Sequence, residues 1–195
     1  MRNVLGCSLL AVSLPLTAIA QPPPPPPPLP SGGSMVTAPA EPLMRLDAGL
    51  IIGFPQGDFD GADTSLGIHL QFGYTVAPNI SVFAGLRYIP VQYADAPEGF
   101  SLTHYDFNAG ARYSRPVSPT MKLFGEAHLE FATISVDTPG GSESESGLGI
   151  GLRAGAIFAV TPSIGIGASL GYSTASIEDG DDAWLTLDGF ASFGF

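Results

Sequence analysis

The chain has one cysteine, Cys7, and only seven Lys or Arg residues against eighteen Asp or Glu. It also has no apolar run of about 18 residues beyond its first twenty. Each shortage excludes a class of protein. If the first twenty residues are removed, the mature chain has no disulfide, no thiol nucleophile and no thiolate metal site. A formal net charge of −11 excludes nucleic acid as a partner, because phosphate neutralisation needs the opposite sign. Without a long apolar run no segment crosses a bilayer as a helix. Charged residues make up only 13% of the chain, well under the ~25% of an ordinary soluble domain, while 45% are hydrophobic. Apolar content on this scale without a spanning helix has to be carried by alternation, and alternation means strands.

Residues 1–20 read as a secretory signal peptide, with Arg2 as the positive region, a short apolar stretch from Val4 to Ile19, and Ala18-Ile19-Ala20 as the cleavage site. Leu5-Gly6-Cys7 has the look of a lipidation box, but the apolar core follows Cys7 instead of preceding it, which favours ordinary cleavage. Residues 21–42 form a proline-rich arm with consecutive prolines from Pro22 to Pro28. Proline fixes φ and removes a donor, so the arm is expected to be an extended polyproline II spacer in the periplasm, or a docking peptide for an aromatic groove. Residues 43–195 are of single-domain size.

Eight alternating segments follow, at about 43–53, 65–75, 80–90, 102–113, 120–133, 147–160, 163–174 and 183–195. Each has roughly the ~9–11 residues that a tilted strand needs to cross a bilayer. Three connections are short, at Val76–Asn79, Ser114–Pro119 and Thr161–Ser163. They alternate with long ones at about 54–64, 91–101, 134–146 and 175–182. Alternating short and long connections predict an all-β, eight-stranded antiparallel up-and-down transmembrane β-barrel, with turns at one rim and loops at the other.

Side-chain parity sharpens this expectation, because successive residues of a strand face opposite ways. One parity holds Leu50, Ile52, Leu66, Ile68, Leu70, Phe72, Leu86, Phe107, Leu129, Leu148, Ile150, Leu152, Ile166 and Leu170, with no charge among its members. The other holds every charge of the eight segments: Arg45, Arg87, Arg112, Lys122 and Arg153 against Asp47, Asp106, Glu126, Glu130 and Asp188. Polar residues inside and apolar residues outside are the inverse of a soluble barrel. Tyr74, Tyr113, Phe158 and Phe195 fall near the turn rim, and Tyr88, Tyr105, Phe131 and Tyr172 near the loop rim, where two interfacial belts belong.

The chain closes on Trp184-Leu-Thr-Leu-Asp188-Gly-Phe-Ala-Ser-Phe193-Gly-Phe195, an alternating strand with a terminal aromatic. It resembles the C-terminal assembly signal of bacterial outer-membrane barrels, with Phe190 where the usual signal has a glycine and Gly189 beside it. Gly53-Phe-Pro-Gln-Gly57-Asp-Phe59 is similar to the Pro-x-Gly-Asp-Phe start of the first loop in such proteins. Over residues 43–195 the chain thus resembles small outer-membrane barrels of the OmpA-like and opacity-protein type. The resemblance implies an outer-membrane location, contact with lipid and lipopolysaccharide, and recognition of Phe193 and Phe195 by the barrel assembly machinery. It also implies a barrel without the peptidoglycan-binding domain that some relatives carry.

Four features bear on activity. The long connections are acidic and contain no lysine or arginine; Asp58, Asp60, Asp63, Asp179, Asp181 and Asp182 are candidate oxygen ligands for a divalent cation, or solvated loop charges, or part of a surface that meets another protein. Gly149-Ile-Gly151-Leu-Arg-Ala154 lies inside a strand segment, so it reads as inward glycine in a narrow lumen instead of a nucleotide loop. Glu126, His128 and Glu130 share one inward face at i, i+2 spacing, a set that could ligate a metal but is read in preference as part of a charge-paired interior. His69, His104 and His128 all have inward parity and none stands in a His-x-Ser pattern, which speaks against a lipid-modifying enzyme. No cofactor is implied. The expected function is structural or surface-interacting, with a filled, charge-paired lumen; a narrow gated ion or small-solute channel is the alternative.

Overall fold

The computed structural model describes residues 42–57, 62–91, 93, 99–177 and 180–195. Eight strands run β1 Met44–Gly57, β2 Ser65–Ala77, β3 Ile80–Val91, β4 Ser101–Ser118, β5 Met121–Thr138, β6 Gly141–Ala159, β7 Ile164–Ile177 and β8 Gly180–Gly194. Every neighbouring pair is antiparallel and β8 returns to β1, so the sheet is a closed barrel without a free edge around its circumference. The seam runs from Arg45 opposite Gly194 to Gly57 opposite Asp182. At its lower end the last residue completes the closure: Met44 N donates to the Phe195 carbonyl at 2.9 Å and Phe195 N to the Met44 carbonyl at 3.0 Å.

Alternation governs exposure across the apolar band. Leu148 is 74% exposed and Leu129 69%, whereas Glu126 is 4% and Arg112 1% exposed, which is the ordering a bilayer selects and water does not. The two aromatic belts lie on the outward face, with Tyr88 and Tyr105 in contact on the loop side (centroids 5.3 Å apart) and Phe72 near Phe195 on the turn side (6.5 Å). The first turn is held by Asn79 at φ 66°, a left-handed conformation that asparagine tolerates, with a register shift between Thr75 and Ala77.

The loop-side connections are shorter than their sequences suggest. Residues 134–146, expected as a loop, form a hairpin in which β5 continues to Thr138 and β6 begins at Gly141. Ser142 to Ser146 alternates serine and glutamate, which is polar on both faces and so conceals a strand that extends past the apolar band. Hydroxyl pairs hold it across the strands, Thr133 to Ser146 at 2.9 Å and Ser144 to Ser135 at 3.2 Å. In the same way β7 extends to Ile177 and β8 starts at Gly180, so the expected loop at 175–182 is strand over most of its length. The turn at 114–119 shrinks too, since β4 runs to Ser118.

Candidate functional site: the charged lumen

Arg45, Asp47, Arg87, Asp106, Arg112, Glu126, Glu130, Arg153 and Asp188 all face into the barrel, and the structure draws them into two clusters. The first is centred on Glu126 of β5. Its carboxylate accepts from Arg112, from Arg153 at 2.6 Å and from Gln71 Nε2 at 2.9 Å. Arg112 also reaches Asp47 at 2.9 Å, and Asp47 takes Arg45 Nε at 3.1 Å. Arg153 donates to Gln71 and lies 3.9 Å from Asp188, which accepts from Ser169 at 3.1 Å and faces His69 at 3.4 Å. The second cluster is centred on Arg87 of β3, which bonds Asp106 at 2.5 Å, Glu130, and Ser173 at 3.3 Å. Asp106 also holds Asn108 at 2.8 Å and His104 at 3.3 Å.

Asp182 corrects the sequence reading. Expected among the loop cation ligands, it lies inside on β8, 2% exposed, where it accepts from Trp184 Nε1 at 2.5 Å and faces His104 Nδ1 at 3.0 Å. The reason is register: β8 begins at Gly180, so Asp182 shares the inward parity of Trp184, Thr186 and Asp188. Of the other candidates, Asp63 is exposed, Asp181 sits on β8, and Asp58, Asp60 and Asp179 lie outside the described residues. Among the described residues no group of three His, Cys, Asp or Glu side chains is arranged to hold a metal ion. Alternation carried upstream from Asp188 would have placed Asp182 inside.

Apolar layers lie above and among these charges. On the loop side Ile51, Ile89, Val91, Leu102 and Trp184 form a buried cluster, covered by Tyr93, Phe100, Ile134 and Val136. In the turn-side half Phe83, Phe124 and Phe190 are buried, with Phe124 and Phe190 edge to face at 6.1 Å and the Arg112 guanidinium 4.3 Å above the Phe124 ring. Inward glycines make room for these bulky groups: a Cβ at Gly151 would overlap the His128 ring, and one at Gly167 the Phe190 ring. The glycines of 149–151 therefore serve packing, and no helix follows them.

Charge is sorted along the axis. Measured from the turn end of each strand, Arg45, Lys122, Arg112 and Arg153 occupy the turn-side half with Asp47, Glu126 and Asp188. The loop-side half holds Arg87 with Asp106, Glu130 and Asp182, and His104 among them. Ser169, Asp188 and His69 adjoin one another, yet the serine donates to the aspartate and not to the imidazole, and all three face away from lipid. That order does not activate a nucleophile.

The profile of the family described as outer membrane protein beta-barrel domain matches residues 29–193. The chain belongs to that family. It is a bacterial outer-membrane barrel, and similar solved structures share its fold. Neisserial surface protein A (NspA) matches with TM-score 0.65 and 18% identity over 78% of this chain and 97% of that one. Ail, the attachment invasion locus protein of Yersinia pestis, matches with TM-score 0.54 and 16% identity over 79% and 100%. OprG from Pseudomonas aeruginosa matches with TM-score 0.54 and 14% identity over 78% and 96%. No curated protein matches the sequence.

Proposed function

We propose that this barrel is a structural or surface-interaction protein of the outer membrane, closed to solutes and not an enzyme. What supports this reading is the side-chain packing inside the barrel among the described residues. Where Arg87, Asn108, His128, Arg153 and Thr186 meet, the open volume is about 10 Å³, room for one water and for no solute. Guanidinium and carboxylate groups from different strands bridge the remaining space, so a path through the barrel would require several buried ion pairs to break together.

Interaction then falls to the loop rim, whose chemistry is acidic: Asp63, Asp137, Glu143 and Glu145 lie there and the four loop segments lack lysine and arginine. One similar structure is Ail in complex with the heparin analogue sucrose octasulfate. The acidic rim of the present barrel repels such a polyanion and suits a cationic partner, or lipopolysaccharide bridged by divalent cations. In this reading residues 1–20 are removed, the proline-rich arm stays in the periplasm, and Phe193 and Phe195 present the strand to the assembly machinery.

Planar-bilayer recording, a phospholipid hydrolysis assay and pull-down from envelope extracts, all on the same purified barrel, test this proposal. Silence in the first two with capture that depends on the loop acids supports it. Steady single-channel conductance would replace it with the gated-channel reading, and hydrolysis with an enzyme.

A further inference from the structure

On the loop side the barrel is closed only as far as β7 reaches. The pairing of β6 with β7 starts at Leu148 opposite Ser176 and β7 ends at Ile177, yet β6 already begins at Gly141. Ser142–Ser146 is therefore paired with β5 on one side and with no described residue on the other. In an antiparallel strand the N–H and C=O of alternate residues point to opposite sides, so part of the backbone of this segment is left for a further strand. Its residues are exposed, and no proline, lysine or bulge guards the edge. The two faces differ. The serines bond across to β5, Ser142 to Asp137 at 2.5 Å, Ser144 to Ser135 at 3.2 Å and Ser146 with Thr133 at 2.9 Å. On the other face Glu143 lies opposite Val136 and Glu145 opposite Ile134, so the residues across the pair offer neither carboxylate a cation.

We propose that the Ser142–Ser146 edge of β6 takes up an extended basic peptide segment as an added strand. The proposal deepens the surface-interaction reading and rests on it. Main-chain hydrogen bonds hold an added strand, and the side chains on its faces decide which strand is accepted. Glu143 and Glu145 stand two residues apart, about 7 Å along the strand, which is the spacing of alternate residues in any extended peptide. Lysine or arginine at alternate positions therefore meets both carboxylates, and small polar residues between them continue the serine face. A second copy of this edge would set glutamate beside glutamate, so charge turns away the self-association that an open edge otherwise invites.

The test uses the full chain folded in maltoside micelles and a fluorescent hexapeptide of alternating lysine and threonine, followed by anisotropy. The peptide should bind saturably, and Glu143→Gln with Glu145→Gln should weaken it about tenfold or more. Asp63→Asn, an exposed acid elsewhere on the rim, should bind as the wild type does. Methylating the backbone nitrogens of the peptide keeps its charge and removes its donors, so the methylated form should also bind about tenfold more weakly or not at all. Heat-modifiable gel migration shows which variants are folded. On the wild type, amide hydrogen exchange at alternate residues of Ser142–Ser146 should slow when the peptide is added, a readout that needs no variant. No saturable binding, equal binding of the methylated peptide, equal binding by the glutamine variant, or unchanged exchange along the edge would overturn the proposal. If the peptide fails while capture from envelope extracts still depends on the loop acids, the edge proposal falls alone; if both fail, the surface-interaction reading falls with it.

Discussion

Replacing Glu126 by alanine removes the acceptor shared by Arg112, Arg153 and Gln71, and leaves two guanidinium groups competing for what remains. Breaking a buried ion pair from one side typically costs ~3–5 kcal/mol, because the surviving charge stays desolvated. Here the loss is softened. Arg112 keeps Asp47 at 2.9 Å and the Phe124 ring at 4.3 Å, and Arg153 keeps Gln71 and the distant Asp188 at 3.9 Å. The lower end, about 3 kcal/mol, is therefore the expected cost. With a urea dependence of roughly 1–3 kcal/mol per molar, the unfolding midpoint falls by about 1–3 M. Trp184 is the only tryptophan and is buried against His104, so its fluorescence in micelles reports the transition. Pairing Glu126→Ala with Arg153→Ala should recover part of the loss, since contacting residues are coupled. Glu143→Ala, on the exposed hairpin, should change stability by no more than about 0.5 kcal/mol. A Glu126→Ala barrel that unfolds with the wild-type midpoint would mean that water solvates the lumen, and the argument for a closed plug would fail.

On the proposed recognition of the C-terminal strand, deleting Phe195 should reduce outer-membrane insertion in cells far more than refolding in micelles, because the finished barrel loses only an exposed aromatic and the last rung of the β1–β8 seam; fractionation of cells beside in vitro refolding measures both. Gly151→Val should cost about 1–3 kcal/mol by forcing a side chain against His128, whereas Gly125→Val, which meets nothing within 4 Å and faces lipid, should be tolerated; urea midpoints decide between them. Asp182→Ala should lower the melting temperature by removing the carboxylate that Trp184 Nε1 donates to and that faces His104 Nδ1, while His104 keeps Asp106, a loss of about 1–3 kcal/mol, and added calcium should not restore it. Were Asp182 a loop cation ligand, calcium would stabilise the wild type and not the variant.

The number of strands, the closed up-and-down order, the lipid-facing set and the inward position of Arg87, Asp106, Arg112, Glu126, Glu130 and Arg153 were all legible in the sequence. The bilayer makes them so: it tolerates no charge on the outward face, and a strand has only two faces, so each charge between two turns reports its side by parity alone. Past the apolar band that constraint vanishes. There Ser142–Ser146 is polar on both faces, and only cross-strand pairing with Thr133 and Ser135 reveals that the strands continue. The same extension carries Asp182 from an expected loop into the lumen. Parity also says nothing of depth or of partners. That Glu126 joins Arg112 of one neighbouring strand to Arg153 of the other, and that Arg87 faces Asp106, follow from the hairpin registers, which set these residues directly opposite one another, whereas the reach of Arg87 across β4 to Glu130 depends on the curvature of the sheet. Register is a property of paired strands and curvature of the closed sheet, and no single segment contains either.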